Sequence, residues 1–338
     1  MILKMIEANL LNLIVVLIFT LLITFKLFTN KKRSSNLPPS PPSIPILGHL
    51  PLLKQPLQET LRNFSRKFGP VMLLRFGVRR TLVISSPSLV EECFTKTNDI
   101  VFANRPLLPS AKHITYNFTS MGAAPYGHLW RSLRRVAASE LFSTTRLVAT
   151  THAREHEVKL MCAHIYKESS QKVELKSRFC DLLNNITTMA MMGKRYYGDV
   201  IDARDVKSAP RFRDIMREMF KVMHAPYLGN FLPLLAWIDF GGNEKRTIAL
   251  MKRVDVFFDE VIDERRRIGS CKSGIMVDKL LALQQEEPEL YTDQIIRGLI
   301  LVNFLQLPFY IYFVNENPWI KRYNVPVFFL NIFCCFKF

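Results

Sequence analysis

The chain has 338 residues, and its 46 Lys and Arg residues against 29 Asp and Glu residues give a formal net charge of +17 at pH 7. A hydrophobic fraction of 49% excludes a mainly disordered chain, because that much apolar surface can offset the conformational entropy lost on folding. Six cysteines without a C-x-x-C pair predict neither a disulfide scaffold nor a zinc ribbon, and a reducing compartment is the simpler assumption. The positive charge requires an anionic partner, which composition leaves open as lipid, nucleic acid or an acidic protein.

The first predicted element is a membrane anchor in residues 1–30. Ala8–Phe25 is a run of eighteen residues without a charge, and as a helix it spans roughly 27 Å. A cleaved signal peptide is the alternative, but the run is long for one, and Lys31, Lys32 and Arg33 follow it without a small-x-small cleavage site. These basic residues predict that the body faces the cytosol. The sequons at Asn63, Asn117 and Asn185 would then stay unglycosylated.

A basic and proline-rich hinge is predicted over residues 31–50. Five prolines lie within the eight residues 38–45, which favours a stiff extended spacer over a helix. A ligand for an SH3-like domain is the less favoured alternative, because the run stands directly between an anchor and a globular body.

The body beyond the hinge is predicted to be mainly α with a small β-sheet. Leu57–Phe68 has apolar residues at helical spacing and stops at Gly69-Pro70. Val71–Phe76 and Thr81–Ile84 are rich in strand formers and predict a hairpin, after which Ser86-Pro87 offers an N-cap and a first-turn proline to a further helix. Apolar residues three and four apart predict more helices over Leu129–Phe142, Thr144–Glu168, Phe179–Met192, Phe212–Met223 and Glu244–Arg267.

Most common catalytic motifs are absent from the sequence. It has no Walker loop, no G-x-G-x-x-G, no H-E-x-x-H and no G-x-S-x-G. His152 and His156, with Glu155, could face one metal ion from a helix, but their charged neighbours favour a solvated helix face. The methionines Met189, Met191 and Met192 are interpreted as core residues rather than as a set of sulfur ligands.

The segment around Trp130 carries a more specific signal. On a helix, Trp130 and Arg134 share one face, while Leu133, Val136 and Ala137 form an adjacent apolar face. An indole N–H and a guanidinium one turn apart suit a carboxylate at the edge of a buried, flat ligand. The alternative is a basic surface helix with a half-buried Trp.

Several short motifs follow one another in order along the chain. They are Leu37-Pro38-Pro39-Ser40-Pro41, Pro45-Ile46-Leu47-Gly48-His49-Leu50, Phe68-Gly69-Pro70, Phe102-Ala103-Asn104-Arg105-Pro106, Tyr126-Gly127-His128-Leu129-Trp130-Arg131-Ser132-Leu133-Arg134-Arg135, Gly193-Lys194-Arg195-Tyr196-Tyr197-Gly198 and Glu289-Leu290-Tyr291-Thr292-Asp293. Through this succession the chain resembles a microsomal cytochrome P450, and in particular the plant group that hydroxylates flavonoids, isoflavonoids and other phenylpropanoids.

The resemblance implies the N-terminal part of the cytochrome P450 fold, as a partial domain over residues 51–303 behind a single transmembrane anchor helix. It implies a haem cofactor whose propionates are held by Trp130 and Arg134, and electrons from NADPH supplied through a partner reductase. It further implies an endoplasmic reticulum membrane location and a small-molecule substrate. The substrate region corresponds to the loop Leu107–Pro125, where five side chains are available to line a pocket: Lys112, His113, Tyr116, Asn117 and Phe118.

The chain departs from the family after Thr292-Asp293, where the family helix carries an A-G-x-D-T-type oxygen-activating stretch that is missing here. Pro308 is expected to break or kink this helix. Residues 304–338 hold eight of the 25 Phe residues and form a divergent tail, as from a truncated gene or a retained intron. Cys334 and Cys335 lack the glycines and arginine of the haem-binding loop, so neither is assigned as the iron ligand. No catalytic or metal-ligating residue is predicted, and the chain is expected to be inactive as it stands, with a poorly stable fold that exposes apolar helix faces.

Other functions are compatible with parts of the sequence. The chain could be a non-catalytic membrane protein that binds an acidic reductase surface through Arg131 and Arg135. A nucleic-acid partner is disfavoured, because no zinc finger, homeodomain or stacking platform is evident. Leu299–Val314 could be a second membrane helix, but Asn303, Gln306 and Pro308 weaken that interpretation.

Overall fold

The structure is a computed structural model of the chain. It describes residues 12–13, 15–21, 23, 37–54, 56–95, 98–141, 143–168, 172–198, 200–225, 227–239, 241–269 and 274–316. The described residues fall into two compact units, one ending at Asn98 and the other beginning at Asp99.

The predicted anchor lies partly outside the described residues. Of Ala8–Phe25, only residues 12–13, 15–21 and 23 are described, and they are helical with exposed side chains. Across the described part of the chain, no helix combines the length and the apolar character that crossing a bilayer requires. The anchor therefore stays a prediction.

The first unit contains a short 3-10 turn at Leu50–Leu52, helix α1 (Leu57–Phe68), strands β1 (Val71–Phe76) and β2 (Arg79–Ile84), and helix α2 (Pro87–Phe94). The strands pair antiparallel with Phe76 opposite Arg79, so the predicted hairpin is confirmed with a tighter turn at Gly77-Val78. Alternate residues of β1 are buried, as a strand with one covered face requires. At Gly48 a Cβ would lie 2.1 Å from the Arg75 carbonyl oxygen, so only glycine fits beside this strand.

The N-cap predicted at Ser86 is confirmed in position, without a hydrogen bond from its side chain. Ser86 stands at the N-cap of α2 and Pro87 opens the helix, but the Ser86 hydroxyl makes no capping hydrogen bond. It lies 2.9 Å from the Ser88 hydroxyl instead. The extended backbone of Ser86 and the fixed φ of Pro87 are sufficient to start the helix.

The second unit is helical. Its elements are α3 (Asn98–Phe102), a 3-10 turn at Pro109–Ala111, α4 (His128–Val136), a π-helical turn at Ala137–Leu141, α5 (Thr144–Ala149), α6 (Thr151–Lys167), α7 (Leu175–Met192), α8 (Ser208–His224), a 3-10 turn at Leu228–Asn230, α9 (Pro233–Trp237), α10 (Asn243–Ile268), α11 (Met276–Glu286) and α12 (Asp293–Glu316).

Several predicted helix boundaries change. The helix expected over Thr144–Glu168 is divided at Thr150, and the helix expected to reach Phe142 gives way to the π-helical turn after Val136. Pro308 does not end its helix, because α12 continues to Glu316. A proline inside a helix removes one backbone hydrogen bond, and a helix can continue beyond that defect.

The core of this unit forms where α7, α8, α10, α11 and α12 pack together. An aromatic cluster occupies its centre: the Phe212 ring lies 4.7 Å from Tyr196, 5.5 Å from Phe257 and 5.2 Å from Phe304, centroid to centroid. Met191 and Met192 are buried in this core, as their interpretation as core residues requires. Because α10 and α12 are fixed by this packing, they form a firm wall for the loop that lies against them.

Candidate functional site

The loop Leu107–Pro125 folds into a compact turn with an unusual backbone. Three consecutive non-glycine residues, Tyr116, Asn117 and Phe118, have φ values of +50°, +56° and +62°. Left-handed conformations cost free energy for such residues, so surrounding contacts must hold the turn. Two of these contacts are local: Asn117 N–H donates to the Lys112 carbonyl at 2.7 Å, and Phe118 N–H donates to the Thr115 hydroxyl at 3.2 Å.

Tyr116 fastens the turn to helices α10 and α12. Its hydroxyl donates to Asp255 Oδ1 at 2.8 Å, and the guanidinium carbon of Arg297 lies 5.9 Å from its ring centre. Arg297 in turn donates to both carboxylate oxygens of Asp259 at 2.8 Å. Burial, followed by the charge of Asp255, raises the pKa of the Tyr116 phenol far above its usual value, so the hydroxyl keeps the proton that it donates.

Two further contacts fix the loop. His113 Nε2 lies 3.0 Å from Glu244 Oε1 near the start of α10, and both side chains are partly exposed. Gln294 Nε2 donates to the Tyr116 carbonyl and to the Thr119 hydroxyl, each at 3.3 Å. The strained turn is thus held from α10 and from α12 together.

Between this turn and α10 the structure contains an open cleft of about 310 Å³. The loop contributes Lys112, His113, Tyr116 and Asn117, and the helices contribute Ile248, Met251, Lys252, Asp255 and Gln294. Four of the five loop residues predicted to line a pocket therefore do so, while Phe118 is not among the residues lining this cleft. The five helical residues were not predicted from the sequence, because helical spacing of apolar residues does not indicate which helix packs against a distant loop.

Trp130 and Arg134 lie one turn apart on α4. The Arg134 guanidinium carbon is 5.5 Å from the Trp130 ring centre, and the Trp130 ring is 5.5 Å from that of Tyr126. Leu133 and Val136 are buried on the other side of the helix, so the predicted division into an apolar face and a donor face is confirmed. Neither Trp130 nor Arg134 lines the cleft.

The donors at this position fit an anionic ligand edge. Arg134 is exposed, and no carboxylate of the described residues forms an ion pair with it. Its guanidinium N–H groups and the Trp130 indole N–H are donors that suit haem propionates.

The iron of a haem-thiolate enzyme also requires a cysteine thiolate as its ligand. Cys93, Cys162 and Cys180 are free thiols in the described part of the chain, and none lies on α4. Cys334 and Cys335 lie outside the described residues.

The motif Gly193–Gly198 has a structural role. Arg195 Nε contacts Glu157 Oε1 at 2.9 Å, and Glu157 is only 3% exposed. Lys194 Nζ lies 2.7 Å from both Asp205 and Glu264. Asn185, whose sequon was noted in the sequence, is buried and donates to Glu157 at 3.2 Å and to the Tyr197 carbonyl at 3.1 Å. Its amide is engaged in packing this segment.

No group of three or more metal-ligating side chains occurs among the described residues, including those around His152 and His156.

Comparison with known proteins shows which family the chain resembles. The family model described as "Cytochrome P450" matches residues 38–305. The chain is 44% identical over 287 residues to "Cytochrome P450 81Q32" of Catharanthus roseus, covering 84% of this chain and 56% of that protein. It is 41% identical over 290 residues to "Isoflavone 3'-hydroxylase" of Medicago truncatula, covering 83% and 58%, and 41% identical over 285 residues to "Isoflavone 2'-hydroxylase" of Glycyrrhiza echinata, covering 83% and 56%. The chain thus spans a little over half the length of these curated relatives.

Proposed function

The chain belongs to the cytochrome P450 family, and from this premise we propose that its reaction class is haem-dependent monooxygenation of a small apolar or phenolic molecule, with electrons from NADPH through a partner reductase. The relatives named as isoflavone hydroxylases support a flavonoid- or isoflavonoid-like substrate. The observation that carries the assignment is the cleft, where the loop corresponding to the family's substrate region meets α10 and α12.

The chain's own residues would serve this chemistry in two places. Haem, when bound, supplies the activation of dioxygen for insertion into a C–H bond. Trp130 and Arg134 would hold its propionates by N–H donation, since they present their donors one turn apart on α4. In the cleft, Met251 and Ile248 would offer apolar contact to the substrate, and the hydrogen bond from Tyr116 to Asp255 holds the loop against α10.

The role of Arg134 can be tested by haemin titration of the purified chain. Arg134→Gln should weaken haemin binding, because one charge-assisted donor is lost. Arg131→Gln is the matched control on the same helix, since the Arg131 guanidinium carbon lies over the Tyr126 ring, 6.0 Å from its centre. Equal weakening by both variants would mean general charge attraction and would remove the assigned role.

We further propose that these 338 residues on their own are not catalytic. They contain no A-G-x-D-T stretch and no F-x-x-G-x-R-x-C-x-G loop. The family chemistry needs a cysteine thiolate as the axial ligand of the iron and a proton donor beside the bound oxygen.

The test is a reduced, carbon-monoxide difference spectrum of membranes that contain the chain, with a full-length relative in the same membranes as control. We expect the Soret band of thiolate-ligated haem only in the control. Its presence in the chain would mean that a cysteine such as Cys334 or Cys335 ligates iron, and would overturn the proposal of inactivity.

A second candidate is a non-catalytic, membrane-anchored binding protein for the reductase. It is favoured by Arg131 and Arg135, which are exposed on α4. We place the chain in the endoplasmic reticulum membrane as a single-pass protein with its body in the cytosol. Protease added to intact microsomes should then digest the body. Reductase capture that falls in the Arg131→Gln/Arg135→Gln variant would support this second function, and capture that survives would count against it.

A further inference from the structure

We propose that the cleft between residues 112–117 and α10 binds an organic anion with an apolar body, and that Lys112 and Lys252 hold its anionic group. The inference rests on the proposed function, because it takes the same cleft as the substrate site. It adds a charge requirement to the ligand, which the assignment of a reaction class leaves open.

The charge balance of the cleft supports an anionic ligand. Its carboxylate, Asp255, already accepts the Tyr116 hydroxyl at 2.8 Å and lies 3.7 Å from Arg297 Nε. His113 is engaged with Glu244 at 3.0 Å. Among the described residues, no carboxylate forms an ion pair with either lysine of the cleft, and both lysines are exposed at its edge. The fully charged side chains that line the cleft are two lysines and one carboxylate, so the net charge of the lining is positive.

Ile248 and Met251 give the wall beneath the lysines an apolar part. Ile248, Met251, Lys252 and Asp255 follow one another at spacings of three, one and three on α10, which places them along one side of the helix. Met251 is 5% exposed and belongs to the core, so it forms a firm floor. A cleft of about 310 Å³ is at the small end of ligand sites, and it suits a body of roughly two fused rings or a short alkyl chain.

The test compares three probes on the purified full chain held in one zwitterionic lipid, without added haem. 1-Naphthoate carries a ring system and a carboxylate, 1-naphthamide carries the same rings without charge, and octanoate carries the charge on an alkyl chain. We expect naphthoate to bind about tenfold more tightly than naphthamide, since each partly exposed ionic contact contributes modestly. The difference should disappear in Lys112→Gln/Lys252→Gln and persist in Lys279→Gln, an exposed lysine on α11.

The outcomes separate the possibilities. Preference for naphthoate that depends on the two lysines supports the proposal, and octanoate binding as tightly as naphthoate supports it with an aliphatic rather than an aromatic ligand. Equal binding of naphthoate and naphthamide overturns it, as does a preference that survives in the double variant. Circular dichroism of each variant verifies folding. Because the probes need no haem, failure here is distinguishable from failure of the proposed haem-binding role of the chain, which the haemin titration reports.

Discussion

The motif Gly193–Gly198 and the loop Leu107–Pro125 are both held by charged and polar side chains, but at very different depths. In the motif, Arg195 forms an ion pair with Glu157, which is 3% exposed, and the buried Asn185 donates a hydrogen bond to the same carboxylate. The loop is held through Asp255 and through Glu244, whose side chain is 42% exposed. The family motif Gly193–Gly198 is thus a packing element, whereas the loop Leu107–Pro125 lines the cleft.

The burial of each contact decides how much it contributes to the stability of the fold. A buried charge cannot exchange its partner for water, so removing the partner leaves an uncompensated charge and strongly destabilises the fold. A partly exposed contact can be replaced by water at small cost. The buried network should therefore fix one conformation, and the loop contacts should permit local opening around the cleft.

The largest effect is expected from removing a side chain at the centre of the buried region. Phe304→Ala should lower the free energy of unfolding by about 3–5 kcal/mol, because a cavity forms where the ring now packs. Phe304 is 2% exposed and its ring lies 5.2 Å from that of Phe212. Denaturant unfolding measures the change. Trp237→Ala is the control, since Trp237 is 88% exposed, and a loss at Phe304 no larger than at Trp237 would place Phe304 outside the core.

The second prediction addresses the buried ion pair. Glu157→Gln should lower the free energy of unfolding by about 3 kcal/mol, because Arg195 is then left without a compensating charge in a buried setting. The matched control is Glu260→Gln, which removes an exposed pair with Arg211 and should cost less than about 1 kcal/mol. Thermal or denaturant unfolding of both variants gives the comparison. Similar losses would show that depth does not separate the two kinds of contact.

The sequence predicted the elements of both regions better than their roles. Helical spacing placed α1 and runs of strand formers placed the hairpin, because their ends are marked by Gly69-Pro70 and Gly77. The loop residues that line the cleft were predicted from the family resemblance and not from their own pattern. Asp255 and Gln294 could not be found, because they become part of the site only when α10 and α12 pack against the loop. Whether Trp130 and Arg134 hold haem stays a prediction.

The third prediction concerns the loop side of the comparison. Tyr116→Phe removes the hydroxyl that donates to Asp255, and should lower the free energy of unfolding by about 1–2 kcal/mol. Amide hydrogen exchange should accelerate at residues 115–118, because the left-handed turn loses its tie to α10. Tyr126→Phe, at the residue directly after the same loop, is the control, and its exchange pattern should match that of the unchanged chain. An unaltered rate at residues 115–118 in Tyr116→Phe would mean that other contacts hold the turn.

The smallest effect is a dependence on alkaline pH that links the two regions. Burial raises the pKa of Tyr116, and of Tyr196 in the motif, above the usual 10.0. In the unfolded chain these phenols lose their protons above pH 10, while in the fold they keep them, so stability is fully present below pH 10 and declines above it. Each such group contributes a slope of about −1.4 kcal/mol per pH unit there. Between pH 10 and 11, Tyr116→Phe should make the decline of the free energy of unfolding shallower by about 1.4 kcal/mol per pH unit, the contribution of one phenol. Unfolding measured at each pH gives this slope. An unchanged slope would mean that Tyr116 ionises as readily in the fold as in the unfolded chain, and that the loop is already open at this position.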